Sequence, residues 1–207
     1  MKMKFYSLWL AIIMIIIFFL QNVISKFTDL FILDSAKIIS EPWRLVTSIF
    51  LHGNLIHLVF NLFALIFFGL ILEKQITSKN FLFVFFTSGI LASIISAFFY
   101  SQVLGVSGAI FGVIGALTII RPNIIVWVYN LPMPMFIASI IWVIADIIGI
   151  FNPSGIANLA HLSGIIIGIL MGIYYRKKFP GNKKSYVQRI EIPEHQLRKW
   201  EVLYLGN

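Results

Sequence analysis

The sequence contains no cysteine, which excludes disulfides, thiolate catalysis and thiolate metal sites. Charge is also scarce: 12% of residues are Asp, Glu, Lys or Arg, against about 25% in soluble globular domains. No internal repeat or low-complexity tract is present, and no small-x-small cleavage site follows the first apolar run. What fills the 207 residues instead is apolar, 59% hydrophobic with a mean hydropathy of +0.94. Such a chain is an integral membrane protein of one main domain, with lipid supplying the surroundings that a soluble core would otherwise need.

Lys2 and Lys4 precede an apolar run over residues 5–24 that is longer than the core of a signal peptide, which predicts a retained span. Residues 25–53 mix Lys26, Asp29, Asp34, Lys37, Glu41 and Arg44 with apolar residues, a composition suited to a first loop lying in the membrane interface. Further spans are predicted at 55–72, 81–99, 106–120, 134–150 and 157–175. Arg121-Pro122-Asn123 closes the fourth, Pro132 and Pro134 precede the fifth, and Asn152-Pro153-Ser154-Gly155 turns into the sixth. The expected architecture is therefore an all-α bundle of six transmembrane helices over residues 1–175, followed by a basic tail over 176–207.

Six spans put both termini on one side. Of the 16 Lys and Arg residues, all but Lys26, Lys37 and Arg44 fall on that side, so the expectation is a multi-pass cell-membrane protein with both termini cytoplasmic. Topology thus accounts for the net charge of +8 without a nucleic-acid partner. His195 reads as a solvated tail residue.

The stretch Leu104–Ala116 is apolar enough for lipid, yet it sets Ser107 between Gly105 and Gly108 at a helix start and continues with Gly112 and Gly115. Flanking glycines allow close approach to a serine oxygen, while small residues on a membrane helix ordinarily serve packing. The stretch alone admits both readings.

The second, fourth and sixth spans run in the same direction, and each carries its polar residues near its start. His57 and Asn61 lie one turn apart on one face. His161 stands above Gly164, Gly168 and Gly172. Ser107 therefore shares a depth with both groups, and the glycine faces of the fourth and sixth spans would bring Ser107 and His161 together. Each polar residue also has a plainer role open to it, as interhelical glue or a satisfied interior group. A metal site from His52, His57 and His161 lacks any accompanying carboxylate or cysteine, so no metal or cofactor is expected. Asp146 in the fifth span either orients His161 or reaches the outer interface, and the interface is the expected place.

Four signatures carry a resemblance: Glu41-Pro42-Trp43-Arg44, the His57-x-x-x-Asn61 pair after His52, Gly105-x-Ser107-Gly108-x-x-Phe111-Gly112, and Ala160-His161-x-x-Gly164-x-x-x-Gly168. Together, in this order, they resemble the rhomboid family of intramembrane serine proteases, over roughly residues 5–175. The resemblance implies a Ser107–His161 dyad and an oxyanion site from His57, Asn61 and the Ser107 N–H. It leaves Asp146 unassigned. Phe111 takes the place where some members carry a tyrosine that stacks on the histidine. Trp43 and Arg44 are an amphipathic pair suited to the interface, Trp at headgroup level and Arg reaching phosphate; the resemblance implies that their loop lies partly in the membrane and braces the site, while an ordinary interface anchor is the plainer role.

The function so implied is cleavage of transmembrane substrates near the outer face of the bilayer. The oligomeric state is not encoded. Two alternatives remain: an inactive relative that binds membrane clients, and a small transporter. Keeping both nucleophile and oxyanion donors argues against the first, and the confinement of polar residues to one end of the spans argues against the second.

Overall fold

The computed structural model describes residues 4–128, 130–152 and 155–180, together with Glu194 and Leu203. In chain order the elements are α1 (Tyr6–Val23), α2 (Phe27–Phe31), β1 (Leu33–Asp34), α3 (Arg44–Thr47), α4 (Leu55–Ile76), α5 (Ser78–Ala97), β2 (Gln102–Val103), α6 (Ser107–Ile120), β3 (Ile125–Val128), β4 (Leu131–Pro134), α7 (Met135–Ile150) and α8 (Asn158–Lys178). Among the described residues, α1, α4, α5 and α8 are long and apolar enough to cross a membrane, while α6 and α7 are shorter apolar helices. All six fall within a few residues of the predicted spans.

α6 occupies the centre, buried almost throughout from Gly108 to Leu117. Around it the other helices turn large apolar side chains outward, among them Ile12 and Phe19 of α1, Phe60 and Phe63 of α4, Ile140 and Ile147 of α7, and Leu170 of α8. Serines go inward: Ser88, Ser93 and Ser96 of α5 are buried. Apolar side chains outside and small ones between helices is the packing expected in lipid, where small residues let helices approach closely.

The chain is mostly helical, with small additions that the expectation of an all-α bundle did not include. Two short antiparallel ladders are present, β1 with β2 and β3 with β4. The second is a hairpin with Ile125 opposite Pro134 and Val128 opposite Leu131. Its strand alternates exposed Ile125 and Trp127 with buried Val126 and Val128, a period of two hidden in a run that is apolar at every position. The first ladder pairs Leu33 with Val103 and so ties the stretch after α1 to the stretch leading into Ser107. Residues 25–53, expected as a loop in the interface, fold into α2, β1, α3 and two 3₁₀ turns at Ser35–Lys37 and Ser48–Phe50.

At the end of the bundle away from Ser107, the fully buried carboxylate of Glu73 accepts from the Tyr6 and Ser7 N–H groups at 3.0 and 3.1 Å and from the Ser7 hydroxyl at 3.1 Å. These are N–H groups that the first turn of α1 leaves without helical acceptors. Of the expected tail, residues 181–193, 195–202 and 204–207 lie outside the described residues, including His195, Lys183, Lys184 and Arg189. So do Lys2, Pro153 and Ser154.

Candidate functional site

Ser107 opens α6, where the first N–H groups, its own included, have no helical acceptor. Two residues earlier Gly105 adopts φ +116, and a Cβ there would lie 2.9 Å from His57 Cε1. Glycine is required at this position by the backbone and by the imidazole that closes over it. The Gly105 N–H donates to the Ser48 carbonyl at 2.9 Å, which anchors the approach to Ser107.

The crossing of α6 and α8 is made backbone to backbone. A Cβ at Gly164 would fall on the Gly108 carbonyl oxygen, one at Gly168 on the Gly112 carbonyl oxygen, and one at Gly115 on the Ile165 carbonyl oxygen. Gly108 also approaches the Ala160 carbonyl. Since Ser107 precedes Gly108 and His161 follows Ala160, these contacts set the hydroxyl and the imidazole at one level. Packing and site are one feature here. The ring of His161 stacks on Phe111, one turn below Ser107, with centroids 4.2 Å apart and planes 5° from parallel.

Ser107 and His161 line one cavity of about 1230 Å³. The expected hydrogen bond of about 2.6–3.2 Å between them is not among those formed by the described residues. Such contacts are often long until substrate is bound. His57 and Asn61 line the same cavity from the first turns of α4. Asn54 caps that helix, its side-chain oxygen accepting from the His57 N–H at 2.8 Å. Asn61 is buried, and its Nδ2 has no hydrogen-bond partner. It is an unspent donor beside the cavity.

His52 touches His57 edge to face at 5.1 Å. Its backbone N–H donates to Gln21 Oε1 at 3.0 Å, and Gln21 Nε2 returns a bond to the His52 carbonyl at 3.2 Å. Burial pulls the His52 pKa down to about 4, so this ring is neutral at physiological pH. Gln21 was legible only as part of an apolar run, since its partner lies far along the chain. Among the described residues no group of three or more His, Cys, Asp or Glu side chains is arranged to hold a metal ion.

Two residues stand elsewhere than expected. Arg44 does not reach toward phosphate: it is 3% exposed, its Nη1 donates to the carbonyls of Asp29 and Ile32 at 2.7 and 2.8 Å, and its Nε pairs with Glu41. It satisfies carbonyls that the short α2 leaves open, while Trp43 beside it is half-exposed. Asp146 does not turn outward, as reaching the interface would require. It is buried on α7, and its Oδ1 lies 2.9 Å from His161 Nδ1. An ionisable residue inside an apolar helix is the signal that could have found it.

Fold and site together define a multi-pass membrane protein with a polar centre enclosed between its helices. Residues 40–178 match the family model for the rhomboid domain. The chain belongs to the rhomboid family. Relatives include RHOMBOID-like protein 6, mitochondrial, of Arabidopsis thaliana, 33% identical over 144 residues (68% of this chain and 46% of the relative). RHOMBOID-like protein 4 of the same plant is 31% identical over 144 residues, covering 68% and 36%. Rhomboid protease GlpG of Yersinia pseudotuberculosis is 31% identical over 135 residues, covering 65% and 48%. The chain thus matches less than half the length of each of these relatives.

Proposed function

We propose that this chain is an intramembrane serine endopeptidase of the cell membrane, with six spans, both termini cytoplasmic, and a site near the outer face. The observation that carries this reading is the convergence of Ser107, His161, His57 and Asn61 on one cavity. His161 takes the Ser107 proton as the serine oxygen bonds to a peptide carbonyl carbon. The resulting oxyanion is held by His57, the Asn61 amide and the Ser107 N–H. Protonated His161 then gives its proton to the leaving amine as the C–N bond breaks, and water releases the acyl group by the reverse sequence. No metal or cofactor takes part.

Two features support a membrane-embedded substrate. The cavity continues between α4 and α7 along Phe63, Phe67, Phe68 and Trp142, an apolar side suited to an apolar segment. With 14 residues, α6 is about 21 Å long, short of the roughly 30 Å of hydrocarbon. On this reading Ser107 lies below the membrane surface, behind the half-buried Val103–Gly105 and the buried Val106, and water would reach it through the cavity.

The test is cleavage of single-span substrates by purified protein in liposomes, beside Ser107→Ala and His161→Ala. Wild type should cut and both variants should not. Cleavage by Ser107→Ala equal to wild type, or none by wild type across a panel of substrates, defeats the reading and favours a client-binding relative.

A further inference from the structure

The resemblance accounts for two members of the catalytic apparatus, and the structure holds a third group against one of them. Asp146 projects from α7 onto the His161 ring, Oδ1 to Nδ1 at 2.9 Å, with the side chains only 8% and 13% exposed. Its other oxygen, Oδ2, is buried without a partner. Phe111 covers one face of the same ring. Among the described residues, the other titratable or hydroxyl groups that line the cavity with His161 are Ser107 on α6, His57 on α4, Ser93 on α5, and Tyr100 after α5, whose hydroxyl accepts from the Leu159 N–H at 3.4 Å. None of these occupies Nδ1.

We propose that Asp146 is a positioning residue for His161, so that the site works as a Ser107–His161–Asp146 triad. The chemistry rests on the protease reading above. A carboxylate only accepts hydrogen bonds, so Nδ1 carries the ring proton and Nε2 keeps the lone pair that must take the Ser107 proton. When Nε2 is protonated, the adjacent carboxylate stabilises the imidazolium without taking a proton itself. Stacking on Phe111 sets the plane of the ring, and the bond to Asp146 sets its rotation within that plane. A salt-bridge tie between α7 and α8 with no part in the chemistry would give the same burial, so the test must separate the two roles.

The experiment compares wild type with Asp146→Asn and Asp146→Glu in detergent micelles. It reads kcat and KM separately and reads the His161 tautomer from ring ¹⁵N shifts, assigned with His161→Gln. The Asn side chain is uncharged and can present its NH2 as well as its oxygen to Nδ1, so the ring proton is no longer held there. For Asp146→Asn the expected result is a rise in the Nε2–H tautomer at the expense of Nδ1–H and a fall in kcat with KM largely unchanged, reaching about 10⁴-fold for the equivalent change in a soluble triad. Asp146→Glu should restore the Nδ1–H tautomer and part of kcat. An unchanged tautomer in Asp146→Asn, or a kcat loss below about tenfold, overturns the proposal. Should wild type cut nothing, the protease reading fails while the tautomer still decides the role of Asp146.

Discussion

The rings of Phe111 and His161 lie parallel, 4.2 Å between centroids, on two helices whose glycines bring their backbones into contact. Stacking of this kind contributes about 0.5–1.5 kcal/mol beyond burial, and it restricts the imidazole to one plane. Phe111 cannot donate a hydrogen bond, so its effect on His161 is steric and electrostatic only. Phe111→Tyr should therefore keep near-wild-type cleavage, while Phe111→Leu, which fills space without a ring face, should lower kcat by roughly tenfold, the equivalent of about 1.4 kcal/mol. Cleavage kinetics on one substrate decide it. Equal rates for Phe111→Leu and wild type would remove stacking from the account.

Asn61 separates catalysis from stability. Because its Nδ2 bonds to nothing in the resting protein, Asn61→Ala removes no existing hydrogen bond from that atom, and the melting temperature should stay close to wild type. On the proposed protease reading the oxyanion would lose one donor, which in soluble proteases costs about 10²–10³ in kcat. A melting temperature that falls in step with activity would show instead that Asn61 holds the helices together.

At the α6–α8 crossing the smallest addition should be felt. The Cβ introduced by Gly164→Ala meets the Gly108 carbonyl oxygen, a backbone atom that cannot rotate away. Overpacking of this sort costs about 1–3 kcal/mol, and separating the helices also separates Ser107 from His161. Both thermal stability and cleavage should drop. Gly53→Ala is the control, since the nearest atom to its Cβ is a Leu104 methyl at 3.9 Å and its stability should lie within about 0.5 kcal/mol of wild type.

Acid should destabilise the fold through His52, which lies in the connection before α4. Its pKa falls from 6.5 to about 4 because burial disfavours the charged ring. The unfolded chain takes up the proton near 6.5, and the folded chain does so only near 4. Stability is therefore unaffected above that window and is lost as the pH falls through it. His52→Gln should unfold with a shallower pH dependence in detergent melts across the same window. Identical slopes would assign the acid sensitivity elsewhere.

Much of the frame is a local property of the chain and was legible in it. A continuous apolar run reports its own length, and so the six apolar helices fall close to their expected places. The spacing of His57 and Asn61 fixes one face whatever surrounds it. The glycines of α6 and α8 announce close packing, and here the packing and the site coincide because Gly108 adjoins Ser107 and Gly164 follows His161 by one turn.

Three relationships needed the folded chain. Leu33 pairs with Val103, Arg44 caps the carbonyls of Asp29 and Ile32, and Asp146 meets His161. The first two join short segments whose free backbone groups could be met by many partners, and local composition does not choose among them. The third turns on the rotation of α7 about its axis. That helix carries a small and polar face, with Ala138, Ser139 and Asp146 buried along one side, but a face by itself does not name the helix it packs against. Lipid on one side and neighbouring helices on the other are equally apolar, and packing against α8 makes the choice. Composition and spacing therefore determined that this is a helical membrane bundle with Ser107 and His161 near one end of their helices. Tertiary contact decided which carboxylate His161 faces.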